Sequence, residues 1–177
     1  DWISPELREN RGEIEAAQEG KLPKLVELSD IKGDLHNHSN WSDGIPTFEE
    51  MAEHAIKMGY KYLVVSDHSK SLHIANGLED DELLEEIEAI DKLNKKFKGF
   101  TLLKATEVDI KSDGSLDFPD KLLEKLDIVV ASIHSGFKQG TEKITERMIA
   151  AIRNPQVNII AHPTGRLISK REGYEID

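Results

Sequence analysis

Along most of this chain, short apolar runs alternate with longer stretches in which apolar residues recur every three or four positions. The first spacing is that of buried strands, and the second is that of helices laid against them. Residues 31–35 predict a strand. Thr47, with Glu50 three residues on, predicts a capping box opening a helix that carries Met51, Ala52, Ala55 and Ile56 on one face and stops at Gly59. Tyr62-Leu63-Val64-Val65 predicts a buried strand. Asp80 or Asp81 is the expected cap of a long helix in which Leu83, Leu84, Ile87, Ile90, Leu93 and Phe97 recur, with Gly99 as its stop. Residues 101–110 predict the next strand, and Asp113-Gly114 predicts a tight turn after it. A short helix over 122–126, a strand over 128–131, a helix capped by Thr141 and ended by Asn154-Pro155, and a strand over 157–160 complete the series. Residues 164–177 are polar and turn-like.

About five β/α units of this kind predict an α/β fold around a parallel sheet. Five strands are too few to close a barrel, so an edge near 157–160 is expected to lack a partner strand or to be covered by a second copy. The first thirty residues read differently. Ser4-Pro5 is an N-cap with a first-turn proline, 6–11 continue it, Gly12 breaks it, and 13–19 resume helix before Gly20 and Pro23. Two short charged helices with little apolar face cannot form a core. Residues 1–30 are therefore expected to be a helical connector and 31–177 the domain. A start at Asp1 rather than methionine suggests a processed product or a piece of a longer protein.

Composition narrows the chemistry. The chain has 177 residues, 38% of them hydrophobic, which suits one domain with one core. It has no cysteine, so disulfides, thiolate zinc sites and cysteine nucleophiles are excluded. No apolar run approaches the roughly 20 residues of a membrane span, and no signal peptide opens the chain; no membrane partner and a cytoplasmic location are expected. With 34 acidic and 23 basic residues the net charge is −11, which repels a nucleic-acid backbone unless cations intervene.

Five of the seven histidines fall just after apolar runs. His36 and His38 follow 31–35, His68 follows Leu63-Val64-Val65-Ser66-Asp67, His134 follows 129–132 and His162 follows Ile159-Ile160-Ala161. Glu107 and Asp109 lie within the 101–110 strand. Parallel β/α folds build their sites at the carboxyl ends of the strands, so these side chains should meet on one rim. One strand-end histidine is ordinarily a core or capping residue. Five at equivalent positions have no apolar reason to gather and repel one another when protonated, so a bound divalent cation is the economical explanation. Alternate residues His36 and His38 point the same way and can grip one ion. Asp43, on the Ser42-Asp43-Gly44 loop, can reach back towards them. Imidazole and carboxylate without sulfur suit zinc, manganese or iron. The ligands outnumber those of one tetrahedral zinc, which favours two or three ions with Glu107 as the bridge. Ions about 3.5–4 Å apart can activate a water and stabilise an in-line displacement at phosphorus.

These residues in this order resemble the polymerase and histidinol phosphatase (PHP) domain, a superfamily of metal-dependent phosphoesterases. The resemblance rests on Asp34-Leu35-His36-Asn37-His38-Ser39, Asp67-His68, Glu107, His134 and His162-Pro163. Ser66-Asp67-His68-Ser69-Lys70-Ser71, Ala75-Asn76-Gly77-Leu78, Glu107-Val108-Asp109-Ile110 and His162-Pro163-Thr164-Gly165-Arg166 are closest to the C-terminal PHP domain of bacterial and archaeal family X DNA polymerases. The opening stretches 5–9 and 12–15 are similar to the segment that joins polymerase to PHP domain there. The resemblance implies a distorted (β/α)7 TIM-like barrel, here truncated to about five β/α units. It implies a first ion on His36, His38 and Glu107, a second on Glu107, His134 and His162, and a third on Asp43 and His68. Glu107, His134 and Asp43 would be the catalytic residues. The implied activity is hydrolysis of DNA phosphodiesters as a 3′–5′ exonuclease, or 3′-end processing in repair, by water activated on two or three metal ions. DNA 3′ ends would be the substrate and the polymerase core of the same parent chain a partner.

Two features depart from that pattern. The nucleotidyl-transfer domain is absent, and so is the family's terminal Asp-x-His motif, which leaves the first and third ion positions each a ligand short. A catalytically impaired metal-binding module is therefore an alternative expectation, and a stand-alone phosphatase of the histidinol-phosphatase type is another. Arg166 and Lys70 are candidates for binding substrate phosphate. Asp34 and Asp67 are expected to orient the histidines beside them. His54 reads as a surface residue, His73 as a loop histidine, and the 82–88 acidic run as a solvated helix face.

Overall fold

The computed structural model describes residues 2–177. They form two compact units, the first ending at Ile31 and the second running Lys32–Asp177. In the first unit a 3-10 turn, Pro5–Leu7, precedes helix α1 (Glu13–Gln18) and a second 3-10 turn, Leu28–Asp30; none of the three buries a residue. The helix predicted through residue 11 stops at Leu7. Ser4 makes no capping bond with its side chain, and Asn10 stands at φ 55°, outside helical backbone. The connector expected over 1–30 begins at Asp1, which lies outside the described residues.

The second unit is built on strands β1 (Gly33–Asp34), β2 (Tyr62–Val65), β3 (Thr101–Asp109), β4 (Ile128–Ser132) and β5 (Ile159–Ile160). All neighbouring pairs are parallel and the spatial order is the sequence order, which gives a curled, open sheet with β1 and β5 at its edges. The β/α alternation in the sequence is this topology. β5 is shorter than the predicted 157–160 because the Asn158 side chain takes the Val129 N–H at 2.8 Å, so regular pairing begins only at Ile159.

Helices α2 (Phe48–Lys57), α3 (Asp80–Asn94), α4 (Asp120–Leu123) and α5 (Thr141–Arg153) cover the sheet. One core cluster joins α2 and α3 to Leu63, Val65 and Leu102; the other joins α3, α4 and α5 to Val108, Ile110, Val129, Ala131 and Ile133. The parity of these positions matters for the site. Val108 and Ile110 go to the helices, so Glu107 and Asp109 present the opposite face of β3. Ile133 likewise faces the helices, which leaves His134 for the other side.

Local details differ where polar residues compete for a role. Thr47 caps α2 in the predicted box with Glu50. The cap of α3 is Glu79, whose N–H donates to the Glu82 side chain at 2.8 Å, rather than Asp80 or Asp81, which lie inside the first turn. Gly140 rather than Thr141 precedes α5. Ile56 and Leu84 drift off their apolar stripes and are exposed. The 82–88 run is not uniformly solvated: Glu86 is 1% exposed, because it stands one turn from both Leu83 and Ile90 on the stripe that α3 buries. No helix among the described residues is long and apolar enough to cross a membrane.

Candidate metal centre

Glu107 is the hub of the rim. It is 2% exposed, and its two oxygens face different sets of imidazoles. Oε1 lies 2.8 Å from His162 Nε2 and 3.4 Å from His134 Nε2. Oε2 lies 3.1 Å from His36 Nε2, 3.4 Å from His38 Nε2 and 3.2 Å from His68 Nδ1. Asp43 Oδ1 stands on the far side of the His38–His68 pair, 4.0 Å from His38 Nδ1 and 3.6 Å from His68 Nε2. These two rings stack with centroids 4.2 Å apart. All seven residues expected to ligate metal therefore meet in one place.

Local sequence explains the convergence. His68 pairs with Glu107 as an extra parallel bridge beyond β2. His36 and His38 follow β1, and the loop after them turns back tightly: the Ser42 and Gly44 N–H groups both donate to the Ser39 carbonyl. A Cβ on Gly44 would stand 2.2 Å from the His38 carbonyl oxygen, so only glycine fits there. Gly44→Ala is expected to push His38 and Asp43 out of register and lower the metal content of purified protein, read by mass spectrometry. Unchanged content would show that the loop absorbs the methyl group. His162 sits at φ 27°, a backbone region that favours glycine, and such strain persists where the surroundings over-determine it.

The donor set fits divalent cations. Two donors about 2.0–2.2 Å from one ion stand roughly 2.9–3.5 Å apart in octahedral or tetrahedral geometry, the range spanned by most of the Glu107–imidazole distances. Three groupings have ligand atoms close enough to share an ion: His36–His38–Glu107, His38–Asp43–His68 and His68–Glu107–His134. Buried nitrogens His38 Nδ1 and His68 Nδ1 make no hydrogen bond. Burial lowers the pKa of both rings and favours the neutral imidazole, the form that ligates. Burial alone would raise the Glu107 carboxyl. Hydrogen bonds from His134, His162 and His36 overcome it and hold the group well below the usual carboxylate range.

Asp109, expected on the 101–110 strand but with no task assigned to it, completes the arrangement. Its Oδ1 lies 2.6 Å from His134 Nδ1, and its Oδ2 accepts from the Ser71 hydroxyl at 2.8 Å. Burial would lower the His134 pKa, but Asp109 and Glu107 together raise it to about 9. Holding Nδ1 on a carboxylate fixes the ring so that Nε2 faces Glu107. The signal available was parity: Asp109 is two residues from Glu107 on one strand face.

The other candidates separate. Asp34 accepts from the His36 backbone N–H at 3.3 Å and Asp67 from Ser39 and Ser42, so both fix backbone and loop, with no bond to an imidazole. Lys70 Nζ lies 2.5 Å from Asp80 and is held there, because α3 begins beside it. Arg166 is exposed and lines a cavity of about 630 Å³ together with Asp43, His68, His134, His162 and Arg171. Arg171 was not anticipated; its guanidinium lies 4.1 Å from the Phe137 ring centroid and donates to the Gly165 carbonyl. His54 and His73 are exposed and outside the cluster.

Comparisons with known proteins agree with this geometry. The family model of the PHP domain matches residues 34–167. "DNA polymerase/3'-5' exonuclease PolX" of Bacillus subtilis is 50% identical over 175 residues, 99% of this chain and 30% of that protein. A "Probable phosphatase" of Thermoanaerobacter sp. is 36% identical over 135 residues, 73% of this chain and 53% of that protein. Another, of Caldanaerobacter subterraneus, is 31% identical over 139 residues, 73% and 51% respectively. The chain thus spans under a third of the polymerase and about half of each phosphatase.

Proposed function

This chain belongs to the PHP domain family, and from that premise we propose that it is a metal-dependent phosphoesterase that trims DNA 3′ ends. The observation that carries the reading is Glu107, which offers one oxygen to His36, His38 and His68 and the other to His134 and His162. A carboxylate so placed can bridge two ions. In this reading His36 and His38 hold a first ion with Glu107, His134 and His162 a second, and Asp43 and His68 a third, of zinc, manganese or iron. Such ions supply Lewis acidity to a phosphoryl group and activate the attacking water. The chain's own residues do the rest. Asp109 keeps His134 oriented, burial on the central strand keeps Glu107 away from bulk water, and Arg166 presents a fork of donors to a phosphate in the 630 Å³ cavity.

DNA is favoured over a small phosphomonoester by the extent of the likeness. The polymerase relative aligns over 175 residues and so includes most of the opening segment, whereas the phosphatases align over 135 and 139. We accordingly assign residues 1–30 as a connector to a polymerase core and 31–177 as the hydrolytic domain, working in the cytoplasm. The test is manganese-supplemented hydrolysis of a labelled single-stranded oligonucleotide beside histidinol phosphate. Release of 3′ nucleotides supports the reading. Turnover of histidinol phosphate alone would move the chain to the small-molecule phosphatases. Bound manganese without hydrolysis of either would make it the impaired module.

A further inference from the structure

Asp67 is 1% exposed and accepts three hydrogen bonds from the loop that carries His38 and Asp43. They come from the Ser39 N–H at 2.7 Å, the Ser39 hydroxyl, and the Ser42 hydroxyl at 2.5 Å. Ser39 and Ser42 are the chain neighbours of His38 and Asp43, so Asp67 grips both ends of the loop. Glu86 of α3, also 1% exposed, has Asp67 as its charged neighbour. Read as a carboxylate, Glu86 has no donor for either oxygen. Among the described residues, the charge that bears on it is Asp67. Two carboxyl groups in contact share a hydrogen bond only when one of them keeps its proton. Burial first, and the Asp67 charge second, push Glu86 well above the usual carboxylate range.

We propose that Glu86 is a positioning residue: its O–H donates to Asp67 and locks the Ser39–Ser42 clamp that holds His38 and Asp43 within reach of His68. The inference rests on the reading that His38, Asp43 and His68 share an ion. Glu86 touches none of them and acts through Asp67 alone. A buried acid on an otherwise apolar stripe is costly, and a donor to a buried carboxylate gives it a purpose.

The experiment measures manganese binding by titration calorimetry on chelator-stripped wild type, Glu86→Gln and Glu86→Leu. The amide of glutamine can still donate to Asp67, so Glu86→Gln should bind within about twofold of wild type. Glu86→Leu should weaken one class of site about 10–100-fold, the usual scale for losing a partner behind a ligand. It should still melt no lower than wild type in chelator, because leucine suits a buried position. A Glu86→Leu protein that binds manganese as tightly as wild type overturns the role of Glu86 and leaves the metal reading intact. A wild type that binds no manganese overturns the metal reading instead.

A second arm needs no apolar variant. A folded-state pKa raised above the unfolded value means that the folded protein holds more protons, so stability falls as pH rises from the ordinary carboxylate range. In chelator, wild type should lose melting temperature relative to Glu86→Gln between pH 5 and pH 8, and every other titratable group is common to both. Parallel profiles would show that Glu86 is ionised when folded and has no proton to donate, which overturns the proposal.

Discussion

Glu107→Gln is expected to lower both metal content and hydrolysis further than any single histidine substitution at the rim, by about 100-fold or more in rate against roughly tenfold for His36→Ala or His162→Ala. The side chain keeps its shape, so the argument is electronic. The native carboxylate lies against five imidazoles, with Oε1 serving two and Oε2 serving three. An amide offers one oxygen and turns two N–H donors towards ring nitrogens that must themselves stay free to ligate. It also removes the negative charge that makes a cation welcome among imidazoles. Losing an edge histidine takes one ligand from one position; losing the bridge takes a ligand from two and uncouples them. Mass-spectrometric metal analysis and oligonucleotide hydrolysis on both variants are the measurements. A Glu107→Gln protein with full metal content would show that the imidazoles alone hold the ions, and Glu107 would lose its central place.

That hub is legible in the sequence because each of its parts rides on a pattern that sequence displays. An apolar run fixes where a strand lies, a parallel β/α fold fixes which end carries the site, and the residue after the run falls there. His68, His134 and His162 follow this rule. What hid were polar residues lying on apolar stripes. Glu86 stands between Leu83 and Ile90 on α3 at helical spacing, and Arg147 stands between Ile144 and Ala151 on α5. Spacing alone put both on the buried face. Glu86 reads instead with the solvated 82–88 run, because burying a charge is normally too costly and the partner that offsets the cost lies far off in sequence. For Arg147 that partner is a set of backbone carbonyls, whereas burial and the neighbouring Asp67 charge favour the neutral form of Glu86. Asp109 hid differently: its parity with Glu107 was visible, but nothing in the sequence tied it to His134, 25 residues on.

Arg147 supplies the largest effect expected on stability. It is 1% exposed, and its fork donates to four oxygens: Lys111 O from Nε at 2.9 Å, Ile110 O from Nη2 at 2.5 Å, Gln139 Oε1 from Nη1 at 2.8 Å, and Ser135 O from both Nη atoms at 3.2 Å. Ile110 and Lys111 follow Asp109, and Ser135 follows His134. One guanidinium thus ties together the loops that follow Asp109 and His134. Arg147→Leu keeps the helix and most of the volume but strands these acceptors, which should cost about 2–4 kcal/mol in urea denaturation. Arg147→Lys keeps the charge and loses the planar fork, so it should recover less than half of that. Because the two loops begin where Asp109 and His134 end, Arg147→Leu should also release metal at lower chelator concentration than wild type. A leucine variant as stable as wild type would mean that water reaches the stranded carbonyls. Unchanged metal retention in a destabilised protein would mean that β3 and β4 alone hold Asp109 and His134 in line.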